Sequence, residues 1–250
     1  MADIADTWET FPAQMAEHRA FISFNKGYAQ IAKEDPRTSL LKVRLELKRP
    51  TPQGLPTDEE FPDVAQVEDQ LDAAVVADGG LEVGRLTVDS HRVFYFYVAF
   101  SEEKALGIVA SVNDKTTYKL RYTFQQDPKK EGYWKELYPS PDDWQVIGDL
   151  RVLDSLRQAG DIGTTSRQVS HWVYLPSQRE SRQFSDWANV HFYKVNSIQW
   201  ADNKKQVVVR FTHEGTTELT DITRHTIAIN RKVAELGGKY DGWETSVERK

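Results

Sequence analysis

The sequence predicts an α+β chain of two consecutive four-stranded antiparallel sandwiches. Three observations point there. Segments with period-two alternation and segments with helical spacing follow the order strand, helix, strand, strand, helix, strand from Leu40 to Phe124. The same order returns from Gln168 to Val247, and a polar, proline-flanked stretch, Gln125–Pro141, separates the two runs. This βαββαβ order folds as a split βαβ, or ferredoxin-like, unit with both helices on one face of the sheet. The expectation is therefore two tandem ferredoxin-like domains, 1–140 and 141–250. An extra hairpin precedes the first and an extra helix the second. The topology repeats, while no residue-level identity links the halves.

Thr7–Phe11 and Arg19–Asn25 read as the extra hairpin. Leu41, Val43, Leu45 and Leu47 alternate along the strand Leu40–Leu47, and a Pro/Thr/Gly loop follows at Pro50–Asp58. Val64, Val67, Leu71, Ala74 and Val75 fall on one helical face, which Gly79-Gly80 stops. Leu81–Val88 and Val93–Phe100 are strands joined by the turn Asp89-Ser90-His91. Glu102–Ala110 is a helix and Tyr118–Phe124 a strand.

In the second half, Asp142 and Asp143 are placed to cap a helix, because a carboxylate accepts orphan N–H groups at the positive helix end. Its apolar face is Val146, Ile147, Leu150, Leu153 and Leu156, and Gly160 ends it. Gln168–Leu175 is a strand with Val169, His171, Val173 and Leu175 on one face and Trp172 and Tyr174 on the other. Arg179–His191 is a helix whose stripe is Phe184, Trp187, Ala188 and His191. Lys194–Trp200 and Gln206–Thr212 form a hairpin around the loop Ala201–Lys205. Asp221–Leu236 is a helix that buries Ile222, Ile229, Val233 and Leu236. Trp243–Val247 is the last strand.

Twenty-eight aromatic residues among 250 supply ample core material. The first 140 residues hold all of the net charge of −6 and the remainder is balanced, so neither half has the basic character that binds phosphate backbones. With no cysteine, disulfides, thiolate nucleophiles, zinc–sulfur sites and iron–sulfur clusters are excluded. Met1–Trp8 has neither a basic nor an apolar leader region, and no apolar run approaches the length of a membrane span. The reading is a soluble cytoplasmic protein without a cofactor or metal.

The sequence holds no Gly-x-Ser-x-Gly elbow, Walker loop or His-Glu-x-x-His motif. Gly80-x-x-x-Gly84 marks a turn into a strand. No two of the six histidines are paired at i, i+2 or i+4. His171 is the most suggestive of them. Asp161 and Arg167 lie upstream, and an Asp161–His171 pair would raise the imidazole pKa and fix its tautomer. One reading is a hydrolase site of Asp161, His171 and a carboxylate such as Glu244. The other is a structural hydrogen bond that pins the loop entering the strand.

Tyr95 and Tyr97 share one strand face, and Phe94, Phe96, Val98 and Phe100 the other. The tyrosines read either as a platform for stacking single-stranded RNA bases or as a surface buried against another segment. The helix-free sheet faces are expected to pack together or onto Gln125–Pro141. Tyr240-Asp241-Gly242-Trp243-Glu244 offers hot-spot residue types, or else anchors the C-terminal strand with Gly242 turning where a Cβ would clash.

Gly160-Asp161, Arg167-x-Val169-x-His171-Trp172, the helix with Phe184 and Ala188, and the closing Gly237-Gly238-x-Tyr240-Asp241-Gly242-Trp243-Glu244 resemble the regulator of ribonuclease E activity B family. Residues 1–140 resemble domain of unknown function 695. The features carrying that match are Gly84 before a strand, Arg92-Val-Phe-Tyr-Phe-Tyr, and Tyr133-Trp134 ahead of Leu137-Tyr138-Pro139. The resemblance implies a bacterial, non-enzymatic protein that acts through protein–protein contacts and modulates a ribonuclease. It implies a ferredoxin-like C-terminal domain and no catalytic residues, while the charge and hydropathy readings above make nucleic acid and membrane unexpected as partners. Asp161, Arg167, His171, Tyr240, Asp241, Trp243 and Glu244, with Tyr95 and Tyr97, are the candidate binding residues.

Overall fold

Leu41, Val43 and Leu45 lie buried on one face of strand β3 (Ser39–Glu46) in the computed structural model, which describes residues 7–201 and 205–249. The chain divides into two units between Pro139 and Ser140. In the first unit, β3 leads into helix α2 (Phe61–Ala77), strands β4 (Leu81–Val88) and β5 (His91–Val98), helix α3 (Glu102–Asn113) and strand β6 (Leu120–Gln126). The strands line up as β4-β5-β3-β6, all antiparallel, which is the ferredoxin-like order. Asp89 and Ser90, both at positive φ, form the two-residue turn between β4 and β5, so β5 starts at His91. The expected hairpin is present as β1 (Trp8–Met15) and β2 (His18–Asn25), and β2 pairs with β4 to make a sheet of six strands. Val64, Val67, Leu71 and Val75 of α2 and Ala105, Ile108, Val109 and Val112 of α3 pack on Phe94, Phe96 and Val98.

Two helices escaped the sequence reading: α1 (Tyr28–Ile31) and α4 (Glu131–Glu136). Both are short and lack apolar periodicity. Together they cover the tyrosine face of the sheet. Tyr28 stacks on Tyr97 at 5.5 Å between ring centroids and meets Tyr133 edge-on at 4.9 Å. Gly84 makes this approach possible, since a Cβ there would stand 2.6 Å from Leu137 Cδ1 and 2.8 Å from the Ser23 carbonyl oxygen.

The second unit opens with α5 (Pro141–Gln158). Its N-cap residue is Ser140, and of the two aspartates only Asp143 joins the capping box. The Ser140 hydroxyl accepts the Asp143 N–H, and the Asp143 carboxylate accepts the Ser140 N–H in return. Asp142 is left to pair with Arg231. There follow β7 (Arg167–Leu175), α6 (Gln178–Val190), β8 (Lys194–Trp200), β9 (Val207–Gly215), α7 (Leu219–Glu235) and β10 (Lys239–Thr245). The sheet order β10-β7-β9-β8 is again ferredoxin-like. The last strand starts four residues before Trp243, because Tyr240 already pairs with Val173. Residues 202–204 of the expected β8–β9 loop lie outside the described residues. Val173, Leu175, Phe184, Ala188, Val209, Phe211, Ile229 and Val233 form the core. A second cluster of Leu153, Leu156, Val169, Ile222 and Trp243 seats α5. His191 does not continue the buried stripe of α6: it is exposed beyond the last turn.

Candidate functional site

Asp161 and Arg167 meet, but they do not reach His171 as a pair. Arg167 forms an ion pair with Asp161, both side chains almost fully buried, and donates to the carbonyls of Ile162, Thr165 and Ser246. Asp161 also accepts from the Glu248 N–H at 2.8 Å and the Thr217 hydroxyl at 3.1 Å. These bonds hold its carboxyl below the usual range, against the opposing effect of burial. The cluster pins the segment that enters β7 to the chain after β10. The structural role weighed for His171 thus falls to Arg167.

His171 is fully buried on the helix-bearing face of β7. Its Nδ1 lies 2.8 Å from the Tyr240 hydroxyl and its Nε2 2.8 Å from His213 Nδ1. The His213 ring stacks on His225 at 3.9 Å, and His225 Nδ1 meets the Tyr193 hydroxyl at 2.8 Å. The outcome is a buried file of imidazoles and phenols from β10 through β7 and β9 to α7. Burial, with the neighbouring imidazoles second, holds His171 well below its ordinary pKa, and burial lowers His213 to about 4. Both are neutral near pH 7. The expected Asp161–His171 pair with a raised pKa is therefore corrected in partner and in direction.

The hydrolase arrangement is also not assembled. Glu244 pairs across the sheet with Ser170 and Trp243 with His171, so Glu244 and His171 point to opposite faces. Glu244 and Asp241 are exposed. Trp243 is buried and donates its indole N–H to Asp149 at 2.9 Å. Gly242 sits at φ +118 in a β-bulge with open space where a Cβ would stand, so the backbone angle, not a clash, requires glycine. Among the described residues, no group of three or more His, Asp or Glu could hold a metal ion. No helix there is long and apolar enough to cross a membrane.

Tyr95 and Tyr97 lie beneath α4 and are not a stacking platform. The Tyr95 hydroxyl donates to Glu136 at 2.9 Å, and the Tyr97 hydroxyl to Asp127 at 2.7 Å. Lys42 bridges to Glu136 at 2.7 Å, and Lys130 sits 4.6 Å over the Tyr97 ring. Burial raises the pKa of both tyrosines, which stay neutral donors. Bases cannot reach these rings without removing the cover.

The outer edge of the second unit offers a different surface, which the sequence reading missed. β8 ends the sheet, pairing with β9 alone, and so leaves backbone donors and acceptors along its outer side. Among the described residues, the second unit exposes five large apolar side chains. Val190, Phe192, Ile198 and Trp200 of α6, β8 and the turn joining them are four of these. Ile198 and Trp200 border a pocket of about 220 Å³ with Gln178, Ser181 and Arg182 of α6.

Phe192 is 94% exposed and occupies a left-handed conformation, φ +64. The reason is local. The Tyr193 N–H bonds to the Ala188 carbonyl and the Phe192 N–H to the Asn189 carbonyl, the paired bonds of a Schellman cap. Helices α2, α5 and α7 end in the same pair of bonds, with Gly79, Gly160 and Gly237 at the left-handed position. Only α6 places an aromatic residue there among these four. The sequence signal was the missing glycine after Val190.

Comparisons with known proteins separate the two units as the fold does. Residues 147–245 match the model of the family described as regulator of ribonuclease activity B. No curated protein matches the chain. Among solved structures, an unknown protein from Galdieria sulphuraria is 10% identical, with 84% of this chain and 99% of that one covered at a TM-score of 0.23. A candidate glycine cleavage system transcriptional repressor is 7% identical, with 84% and 98% covered at a TM-score of 0.25. The first unit matches the model of a family of unknown function, DUF695, over residues 6–138, and by that match, which spans more than half of its length, the chain belongs to this family.

Proposed function

We propose that this chain is a non-enzymatic cytoplasmic regulator whose second unit docks on a ribonuclease and lowers its cleavage of RNA. Phe192 carries the reading. A side chain that is almost wholly in water, at a backbone angle that favours glycine, contributes nothing to its own fold. The strain of a left-handed non-glycine residue is about 1 kcal/mol or more. A partner that covers the ring offsets that strain. Val190, Ile198 and Trp200 are further exposed apolar side chains along α6 and β8, and the open β8 edge supplies hydrogen-bonding groups, the two ingredients of docking by strand addition. The match to a regulator of ribonuclease activity gives the partner its class. Neither His171 nor Asp161 takes part: both are buried in structural networks.

The test is RNA cleavage by a purified ribonuclease E-type endoribonuclease, followed with increasing amounts of this chain. Cleavage should slow with the native chain and recover with Phe192→Gly and Trp200→Ser. A native chain that leaves the rate unchanged and does not co-elute with the enzyme would remove the ribonuclease assignment.

A further inference from the structure

The Ala201 N–H bonds to the Gln206 carbonyl at 2.8 Å, joining the chain just after β8 to the chain just before β9. Bonded and non-bonded pairs alternate along an antiparallel ladder. The next pair, Trp200 with Val207, is therefore non-bonded, Gln199 with Val208 is bonded, and Ile198 with Val209 is non-bonded. The backbone N–H and C=O groups of Ile198 and Trp200 thus point away from β9, to the open side, while those of Gln199 are committed to Val208. The register shifts between Val195 and Ser197, so the regular part of the free edge is Ser197–Trp200.

The same two residues carry exposed side chains. Val207 and Val209 are buried on the helix-bearing face, and their partners Trp200 and Ile198 share that face. α6 stops short of the edge and leaves Ile198 45% and Trp200 50% exposed. The pocket of about 220 Å³ lies between them and α6, with Val207, Ser181 and Arg182 in its lining. Arg182 is exposed and forms no ion pair among the described residues. Arg179, Lys194 and Lys205 are also exposed, on α6, on β8 and just ahead of β9. The carboxylates of α6 and β8 are Glu180, which accepts from the Ser177 hydroxyl, and Asp186. The surroundings of the edge are therefore positive in a chain whose net charge is −6.

We propose, building on the docking at β8, that this edge takes an extended, acidic segment of its partner as a fifth antiparallel strand. A strand beyond β8 lies about 4.8 Å away and exchanges N–H···O bonds with Ile198 and Trp200. Residues directly opposite one another share a face, so two partner side chains spaced i, i+2 meet Ile198 and Trp200 beside the pocket. Small branched side chains suit both that space and the strand. Carboxylates two residues further out on the same face complement Arg182 and the other cations. RNA is also anionic, but the edge offers backbone donors and acceptors two residues apart, which a strand satisfies and a phosphate chain does not.

The experiment is an NMR titration of the full chain with acetyl-Glu-Thr-Val-Thr-Val-Thr-Glu-amide, without any ribonuclease. The amide signals of Ile198 and Trp200 should shift downfield and saturate, and that of Gln199 should move less. The same peptide with both valines N-methylated lacks the strand's donors and should bind about tenfold or more weakly. A peptide with lysine in place of both glutamates should bind the native chain about threefold or more weakly, and Arg182→Glu should reverse that order. Equal binding of the N-methylated or the lysine peptide, or tighter binding of an oligouridylate at the same amides, overturns the proposal. So do shifts of those amides on concentrating the chain alone, which mark a second copy as the occupant. Peptide binding without ribonuclease inhibition overturns only the regulator reading, and inhibition without peptide binding overturns only the edge assignment.

Discussion

Trp243 and Asp149 are 94 residues apart in sequence and joined by a 2.9 Å hydrogen bond from the indole N–H to the carboxylate. Asp149 is fully buried on α5 and also accepts from the Thr226 hydroxyl at 2.5 Å and the Gln145 amide at 3.0 Å. One carboxyl group therefore ties the added helix to α7 and β10. Burial raises its pKa against the pull of these three donors.

Trp243→Phe keeps most of the ring and removes the donor. Asp149 Oδ1 keeps the Gln145 amide and loses one of its two donors, which costs about 1 kcal/mol. The denaturant midpoint of the second unit should fall accordingly, with the far-ultraviolet dichroism of the native state preserved. An unchanged midpoint would show that the indole contributes by packing alone.

The imidazole file makes stability depend on pH. His213 has a folded pKa of about 4 against an ordinary 6.5, and His171 is lowered well below the same value. A histidine with a depressed folded pKa contributes stability that is complete above its unfolded pKa. That stability is lost as pH falls from about 6.5 towards 4, because only the unfolded chain takes up protons in that window. The loss is on the order of a few kcal/mol. Asp149, raised instead, pulls the opposite way at acid pH. The clean readout is the difference in melting temperature between native chain and His213→Asn across this range. The native chain should lose the more as pH falls. Tyr193, His225, Asp221 and Arg224 remain around the site in both.

Phe192→Gly separates stability from docking. The backbone there already suits glycine, so the variant should be more stable by about 1 kcal/mol while losing its effect on ribonuclease cleavage. Chemical denaturation and the cleavage assay on one preparation give both numbers. A variant that is more stable and still inhibits would place the docking contact elsewhere.

Tyr97→Phe removes a hydroxyl that donates to Asp127 at 2.7 Å and accepts the Tyr133 N–H at 3.2 Å. Both partners are buried, so a loss of about 1–3 kcal/mol is expected. Hydrogen exchange at the amides of α4 should quicken more than at those of α2, because the lost bonds hold the cover and not the opposite layer.

The fold was legible wherever one face of an element is buried. Leu41, Val43 and Leu45 announce β3 and its inward face, and Val64, Val67, Leu71 and Val75 announce α2, because burial on one side imposes the period. α1 and α4 were not legible: four and six residues show no period, and long-range contacts among Tyr28, Tyr97 and Tyr133 hold them. The strand Tyr95-Phe96-Tyr97 showed two aromatic faces but not which lay beneath a polar-looking segment. At the candidate site, Asp161, Arg167 and His171 were singled out together, but the pair expected was Asp161 with His171, and the actual partners depend on which strands adjoin. His213 and Tyr240 reach His171 from β9 and β10, more than forty residues away. The docking strip was missed because an exposed phenylalanine after a helix reads as an ordinary turn until its backbone angle is known.

The cover over the tyrosine face also settles what counts as a self-sufficient piece of this chain. All six strands of the first sheet are complete by Gln126, and a fragment ending there would hold every backbone pairing of the sheet. It would also lack Tyr133 and Tyr138, which meet Tyr28 and Phe24 on the tyrosine face, and the Asp127 and Glu136 carboxylates that accept from Tyr97 and Tyr95. During synthesis the residues that complete the pairing of the sheet therefore emerge before those that complete its burial.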